Sequence, residues 1–279
     1  MQGGLYMKKR KKSKILYIGL CILMAILLFL ASGFYNELEV TNYNYASKQL
    51  PPEFDGFKIV LISDLHCSVF GKNQEKLIQA IKDANPDMIA LTGDILDANH
   101  TQLVGIEPLL KGIQNVAPAY AVSGNHELAV PDLHNQLLSL YKTYGITDLD
   151  DQSTTIERNG SIIQLHGLKW FWDITQTLPV SDTSLFSILL FHGTNGFDTV
   201  KNYHYNLVLS GHTHGGIIRL PFLGGILGNS GDFFPKYDSG LFTENGSTMI
   251  SSRGLGETPP VPRFFNRPEL VCITLKTEN

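Results

Sequence analysis

The sequence predicts an α/β protein whose core is formed by two sheets with helices packed against them. From Leu38 onward, apolar runs of five to eight residues alternate with segments of helical periodicity, and strand-type runs dominate after residue 150. Several of these runs are almost entirely apolar, which is typical of strands that are buried on both faces. With 279 residues, the chain is long enough to form one large domain or two small ones.

The composition excludes several other classes of protein. Apolar residues make up 43% of the chain and charged residues 17%, which is unlike a disordered protein, a collagen or a coiled coil. Three cysteines are too few for a disulfide-stapled scaffold or a zinc site made of cysteine alone. Residues 37–279 carry 16 basic and 26 acidic residues, so we expect no nucleic-acid partner. An acidic region of this kind suits a protein that binds cations.

The first predicted element is a transmembrane anchor at residues 15–36, which contain no charged residue. At about 1.5 Å per residue, such a helix crosses a hydrocarbon core of about 30 Å. The basic stub at residues 1–14 predicts a cytoplasmic amino terminus, so residues 37–279 would face outward from the cell membrane. A cleaved signal peptide is the alternative, although its apolar core is usually about 7–15 residues long. Met7 stands directly before the basic run and is an alternative start.

The remaining elements are indicated by apolar periodicity. The predicted strands are 57–63, 87–92, 118–123, 161–168, 185–191, 206–210, 247–252 and 270–275. The predicted amphipathic helices are 74–84, 101–115 and 131–143, the last opened by Pro131. The segment 215–245 is rich in Gly, Pro and Phe, and we expect it to be a long structured loop.

Polar residues that can bind a metal ion or act as acids and bases follow the ends of five predicted strands. In chain order they are Asp64 and His66, Asp94 and Asp97, Asn125 with His126 and Glu127, His192, and His212 with His214. Because functional sites of α/β sheets assemble at the carboxyl ends of the strands, we expect these side chains to meet. Most of them have a glycine beside them, which lets the backbone turn and other groups approach closely.

The residue types at these ends favour a site for divalent metal ions. Carboxylate, imidazole and amide groups without thiolate suit Mn, Fe or Zn. The i, i+2 spacing of Asp64 and His66, and of His212 and His214, lets two side chains reach one site. A single carboxylate such as Asp94 can bridge two ions. A lone histidine near a strand end is more often structural, but five such ends in this order favour a binuclear metal centre.

The motifs DLH, GDxxD, GNHE, a single His and GHTH, in this order, resemble those of the calcineurin-like metallophosphoesterase superfamily. The resemblance extends from about Val40 to Leu275. The stretches LPPEFDGFKIVLISDLH, SGHTHGGIIRLP, FFPKYDSGL and SRGLGETPPVPRFFNRPEL resemble a bacterial membrane-anchored subgroup similar to UDP-2,3-diacylglucosamine hydrolases. The resemblance implies a four-layer α/β/β/α sandwich and a phosphoester hydrolase with two divalent metal ions, Mn in preference to Fe or Zn.

The resemblance also implies roles for individual residues. The first ion would be held by Asp64, His66, Asp94 and His214, and the second by Asp94, Asn125, His192 and His212. His126 resembles the proton donor to the leaving oxygen, and Asp97 and Glu127 match acidic positions that orient the ligands. In such a site the metals lower the pKa of a water molecule towards about 7, so that it can attack phosphorus at neutral pH. Cys67, next to His66, is expected to be structural.

The substrate is indicated less directly. Arg219 and Arg253 could hold a second phosphate, or could form ion pairs that organise a long loop. Trp170-Phe171-Trp172 could form an apolar wall for a lipid or nucleobase, contact the bilayer interface, or pack under the second sheet.

The predicted anchor favours a lipid-linked or nucleotide-type phosphodiester or diphosphate at the outer face of the membrane. A broad phosphodiesterase or phosphatase of soluble exported substrates is one alternative. A metal-binding module without turnover is another, disfavoured because Asp94 and His126 are both present.

Overall fold

The computed structural model describes residues 3–100, 102–170, 181–228, 231–257 and 262–278. The chain forms two compact units, Met1–Tyr35 and Asn36–Asn279. The first unit is the helix α1 (Gly3–Ser32). Its segment Lys14–Ser32 is long and apolar enough to cross a membrane, judged by length and composition, and none of it is buried within the protein.

The second unit contains two six-stranded sheets, and its elements are numbered in chain order. In spatial order, sheet 1 consists of β1 (Glu39–Ser47), β14 (Glu269–Thr277), β2 (Lys58–Ile62), β3 (Met88–Thr92), β4 (Ala119–Val122) and β5 (Ile146–Asp148). In spatial order, sheet 2 consists of β12 (Gly240–Glu244), β13 (Ser247–Ser251), β9 (Leu207–Gly211), β8 (Ser187–Gly193), β7 (Ser161–Leu168) and β6 (Ser153–Arg158). Neighbouring strands are parallel except in the pairs β14–β2, β12–β13 and β6–β7.

The described part of this unit also contains five α-helices and a hairpin. The helices are α2 (Glu75–Ala84), α3 (Ile106–Ile113), α4 (Asn125–Ala129), α5 (Pro131–Tyr144) and α6 (Phe197–Val200). The hairpin consists of β10 (Ile218–Leu220) and β11 (Gly224–Leu227).

The core is divided into layers because successive strand residues point to opposite faces of a sheet. Leu61 and Ala90 of sheet 1 pack against Leu165 and Ile188 of sheet 2 in the cluster between the sheets. The outer face of sheet 1 is covered by α2, α3 and α5, and the outer face of sheet 2 by Phe197 and Val200 of α6. This arrangement confirms the predicted four-layer α/β/β/α sandwich.

All eight predicted strands and all three predicted helices are confirmed, with bounds that differ by a few residues. The helix predicted at 101–115 begins at Ile106. The prediction of a long loop at 215–245 was wrong in part, since this segment contains β10, β11 and β12. These strands were missed because they are only three to five residues long and two of them contain or adjoin several glycines.

Candidate metal centre

The predicted site residues lie together where five strands end. Asp64 and His66 follow β2, Asp94 follows β3, and Asn125 begins α4 just after β4. On the other sheet, His192 is the penultimate residue of β8, and His212 and His214 follow β9. Asp64, His66, Asp94, His192 and His214 are each at most 5% exposed. The packed sheets therefore bring the motifs to one buried edge, as the sequence predicts.

The backbone at these positions is held in an uncommon conformation. Asp64, His66, Asp94, His212 and His214 all have positive φ angles, between 46° and 73°. For a residue with a side chain this left-handed region costs about 1–2 kcal/mol, and it persists only where the surrounding structure imposes it. Part of that constraint is visible, because the N–H groups of Asp64 and His66 donate to backbone carbonyls of the loop after β3 at 3.0 Å.

Two glycines allow the strand ends to approach each other. Gly93 has a φ of +83°, and a Cβ atom there would lie 2.5 Å from the nitrogen of Gly124 and 2.9 Å from Nδ1 of His192. A Cβ atom on Gly211 would lie 2.2 Å from Oδ2 of Asp64. Contacts this short do not occur between real atoms, so both positions require glycine.

One group of ligand atoms is formed by Asp64, His66 and His214. The Nε2 atoms of His66 and His214 are 3.1 Å apart, and Nε2 of His214 is 3.5 Å from Oδ1 of Asp64. Oδ2 of Asp94 lies 3.8 Å from Nε2 of His66. Burial lowers the pKa of His66 to about 4 and holds that of His214 well below its usual value. Both imidazoles are therefore neutral at pH 7 and can offer a lone pair.

A second group is formed around His192. Its Nδ1 lies 2.7 Å from the carbonyl oxygen of Thr92, so Nδ1 carries a proton and donates it. Its Nε2 lies 3.1 Å from Oδ2 of Asp94 and 3.2 Å from both Oδ1 of Asn125 and Nδ1 of His212. Acceptor atoms of Asp94, Asn125 and His212 thus converge on Nε2 of His192, where a bound cation would replace a proton.

This donor set fits a divalent cation. Burial lowers the pKa of His192, but the adjacent Asp94 carboxylate outweighs this effect and raises it to about 9, so the site favours a positive charge. Burial lowers the pKa of His212 to about 3, which leaves that ring as a neutral ligand. Asp94 has one oxygen within reach of both groups and can bridge two ions. The two groups together match a binuclear centre for Mn, Fe or Zn.

The family of this chain follows from a match to a family model. Residues 57–216 match the model of the calcineurin-like phosphoesterases. The chain belongs to this family.

Relatives of this phosphoesterase carry related names. It is 33% identical over 255 residues to the uncharacterized metallophosphoesterase YkuE of Bacillus subtilis, with 87% of each chain covered. It is 29% identical over 229 residues to the phosphodiesterase YaeI of Escherichia coli, covering 78% of this chain and 82% of YaeI. A transmembrane protein with a metallophosphoesterase domain from Danio rerio is 25% identical over 258 residues, covering 85% of this chain and 57% of that protein.

Solved structures with a similar backbone trace include the phosphopantetheinyl hydrolase of Mycobacterium tuberculosis. That structure has 12% identity and a TM-score of 0.44, covering 71% of this chain and 89% of the hydrolase. A dimetal phosphatase from Danio rerio has 13% identity and a TM-score of 0.46, covering 79% of this chain and 93% of the phosphatase.

His126 lies beside the ligand groups of the phosphoesterase but is oriented differently. Its Nδ1 accepts a hydrogen bond from the backbone N–H of Ala98 at 3.0 Å, so a neutral ring carries its proton on Nε2. That Nε2 lies 4.0 Å from Oδ2 of Asp94, and the side chain is 16% exposed. The ring also contacts His66 edge to face, with centroids 4.5 Å apart. A donor N–H is therefore placed next to the centre and close to solvent.

Glu127 organises the backbone that carries two of the candidate ligands. Its buried carboxylate accepts hydrogen bonds from the N–H groups of Asp94, Ile95, Leu96 and Gly124 at 2.8–3.1 Å. Burial raises the pKa of Glu127 to about 7, whereas these four donors favour its ionised form. The carboxylate thus ties the loop after β3 to the loop after β4.

Asp97 supports the histidines from the other side. One of its oxygens lies 3.3 Å from Nδ1 of His126 and also accepts from the backbone of Asn99, and the other lies 3.0 Å from Nδ1 of His100. Asp97 therefore lies beside His126, and its orienting role stays a prediction. Cys67 packs into the apolar layer between sheet 1 and its helices, as expected for a structural residue.

The two arginines proposed for substrate binding are paired with carboxylates. Arg219 donates to Oδ2 of Asp238 at 2.9 Å. Arg253 donates to Glu39 at 2.7 Å and to Glu269 at 2.9 Å, and 14% of its side chain is exposed. These contacts support the alternative in which both residues organise the structure around the site.

Two residues beside the centre had weak sequence signals. Trp170 lies against the second ligand group, with its ring 4.4 Å from that of His212, which supports the apolar-wall interpretation; Phe171 and Trp172 lie outside the described residues. Arg263 belongs to no motif of the predicted metal site. It is 3% exposed and its Nη2 is 3.4 Å from Nδ1 of His214. Its signal was its place in the stretch SRGLGETPPVPRFFNRPEL.

Proposed function

We propose that this phosphoesterase hydrolyses phosphodiesters or diphosphates at a binuclear metal centre. Two observations support the proposal most strongly: the convergence of acceptor atoms of Asp94, Asn125 and His212 on Nε2 of His192, and the membership of the family. The ligands of the first ion are Asp64, His66, Asp94 and His214, and those of the second are Asp94, Asn125, His192 and His212. The bound ions supply Lewis acidity and lower the pKa of a water molecule to about 7. We favour Mn over Fe or Zn.

The residues of the chain position the reaction. Asp94 fixes the spacing of the two ligand groups, and its Oδ1 accepts the backbone N–H of His126 at 2.9 Å. That bond and the one from Ala98 set the direction of the His126 ring. A ring protonated also on Nδ1, which lies 3.3 Å from Oδ1 of Asp97, can give its Nε2 proton to the oxygen of the leaving group and become neutral again. Trp170 restricts one side of the centre and gives it an apolar wall.

We propose further that the substrate is lipid-linked or nucleotide-type, as in UDP-2,3-diacylglucosamine hydrolases. The name phosphodiesterase of YaeI supports a phosphodiester. The apolar segment of α1 and the name of the Danio rerio relative support action at a membrane. In this organisation residues 1–14 are a cytoplasmic stub, 15–36 the anchor and 37–279 the catalytic domain outside the cytoplasmic membrane.

The test is turnover by the full chain in detergent, stripped with a chelator and reloaded with Mn²⁺, Fe²⁺ or Zn²⁺ in separate samples. The substrates are UDP-diacylglucosamine, a soluble nucleotide diphosphate, bis-p-nitrophenyl phosphate and p-nitrophenyl phosphate. Preference for the lipid-linked substrate supports the proposal in full, and preference for the soluble ones supports a broad phosphodiesterase. The proposed activity would be overturned if wild-type protein turned over none of the four substrates faster than Asp94→Ala does, with any of the three metals. The metal-binding module would then remain.

A further inference from the structure

The most exposed large apolar side chains of the catalytic unit lie in one short segment. Phe222 is fully exposed, Phe233 is 74% exposed, Leu223 67% and Phe234 65%. In the rest of the described part of Asn36–Asn279, every other large apolar side chain is less than half exposed. Soluble surfaces rarely carry such a cluster, and one that does occur marks a binding surface. We call Phe222, Leu223, Phe233 and Phe234 the phenylalanine patch.

The phenylalanine patch is part of one small folded unit. Phe222 and Leu223 belong to the turn between β10 and β11, which the N–H of Leu223 closes by donating to Leu220. Phe233 pairs with Leu227 at the end of β11, and the N–H of Phe234 donates to Ile226 at 3.0 Å. The four side chains therefore come from adjacent segments of a short antiparallel meander, and not from scattered loops.

The meander is fastened directly to the metal centre. β10 begins four residues after the ligand His214. The Asp238 carboxylate accepts from Arg219 at 2.9 Å and from the backbone N–H of Gly225 at 2.8 Å, which joins the two strands to the following loop. Gly225 also approaches Gly216 so closely that a Cβ atom on Gly216 would lie 2.9 Å from its Cα. Arg219 thus stabilises the base of the segment whose tip is apolar.

We propose that the phenylalanine patch inserts into the interface of the lipid bilayer. Aromatic side chains at exposed turns are suited to this region, which accepts apolar rings beside polar headgroups. Residues 37–279 are acidic, with 16 basic and 26 acidic residues, so the contact depends on apolar burial and requires no anionic lipid. A phosphatidylcholine surface is therefore sufficient.

The lipid bilayer is inferred as the partner of the patch from the transmembrane anchor, so this inference rests on that part of the proposed function. Six residues, 33–38, connect the end of α1 to the start of β1. Even fully extended, they reach about 20 Å. If α1 spans the bilayer, the catalytic unit stays beside the lipid surface at a high effective concentration, and a few apolar side chains are enough to dock it. Docking then holds the metal centre near the headgroups, where a lipid-linked phosphoester lies.

The test uses the full chain reconstituted into phosphatidylcholine vesicles, with and without bromine on the acyl chains. Phe222→Trp places a fluorophore in the patch, and Phe233→Trp is a second, independent variant. Leu241→Trp is the matched control, because Leu241 is an exposed apolar residue on β12, outside the patch. The emission of wild-type protein is subtracted from each. We expect bromolipid to quench the added tryptophan of both patch variants about twofold or more and that of Leu241→Trp hardly at all.

The other possible results distinguish a lipid surface on the patch from solvent or another protein surface. Emission that is neither shifted nor quenched in both patch variants would overturn the proposal. A blue shift without quenching would mean that another protein surface, such as a second copy, covers the patch, and would overturn it as well. Flotation of wild-type protein with the vesicles reports the anchor separately, and its failure removes the basis of the docking. Turnover of bis-p-nitrophenyl phosphate by the variants reports the proposed activity and correct folding independently of lipid contact.

Discussion

Replacing Glu127 by glutamine should destabilise the protein and weaken metal binding at the same time. Glutamine has nearly the same shape as glutamate, so the substitution leaves no cavity. It changes the hydrogen-bonding capacity of a buried group that touches no ion in the proposed centre. The variant therefore tests whether the carboxylate organises the ligands through the backbone.

The magnitude follows from the four hydrogen bonds. One oxygen of Glu127 accepts from Ile95 and Leu96, and the other accepts from Asp94 and Gly124. The amide nitrogen of a glutamine replaces one oxygen and presents N–H groups to two backbone N–H donors. Each buried donor left without an acceptor costs about 1–3 kcal/mol, so the free energy of unfolding should fall by about 2–6 kcal/mol. Displacement of Asp94 and Asn125 should lower metal affinity about 10–100-fold.

The assay has two parts. Urea unfolding of chelator-treated protein measures stability without metal, and calorimetric titration with Mn²⁺ measures affinity. Glu157→Gln is the control, because Glu157 is exposed on the edge strand β6, and it should leave both values unchanged. A Glu127→Gln variant as stable as the control, with the same Mn²⁺ affinity, would refute the role that we assign to the carboxylate.

Four further predictions can be checked with standard methods. His126→Ala should keep its metal and lose about 10²–10⁴-fold in kcat, whereas Asp94→Ala should lose both ions by metal analysis; the reverse pattern would exchange their roles. Arg253→Ala should lower the melting temperature and reduce kcat/KM equally for a diphosphate and for p-nitrophenyl phosphate, because its partners are Glu39 and Glu269; loss on the diphosphate alone would restore the phosphate clamp. Burial lowers the pKa of His166, so below about pH 6.5 the unfolded chain binds a proton more readily than the folded chain does. In urea unfolding, the stability of wild-type protein should therefore fall more steeply between pH 7.5 and 5.5 than that of His166→Gln, and equal slopes would contradict this. Protease added to intact cells should digest residues 37–279, and protection until lysis would contradict the proposed topology.

The sequence predicts where the candidate ligands lie in the fold because their position depends on local pattern. Asp64 and Asp94 each follow an almost fully apolar run within two residues of its end. Such a run is buried on both faces, so its length and direction are fixed by the core, and the residue after it must lie at the edge of the sheet. The same reasoning places His212 after β9. Local pattern therefore gives both the layers and the edge where the candidate metal centre lies.

The partners of the arginines could not be predicted in this way. Arg253 pairs with Glu39, which lies 214 positions away in the chain. Glu39 begins β1, whose alternating polar sequence EVTNYNYAS gives a weak strand signal, and its parallel register with β14 sets Glu39 opposite Glu269. Only this register brings two carboxylates to one guanidinium. The choice between a phosphate clamp and an ion pair therefore depends on the pairing of two distant strands.

The metal ligands and the stability of the fold are linked by the same geometry. Five of the seven proposed ligands have left-handed backbone conformations, each of which costs about 1–2 kcal/mol. The Nε2 atoms of His66 and His214 lie 3.1 Å apart, so in the absence of a cation one of them carries the proton that separates the two lone pairs. The folded core and the Glu127 carboxylate hold this arrangement in place, and a bound cation would take the place of that proton. Strain at the proposed ligands is therefore a consequence of placing side chains from two separate sheets around one point, and a bound cation would stabilise the fold as well as supply the chemistry.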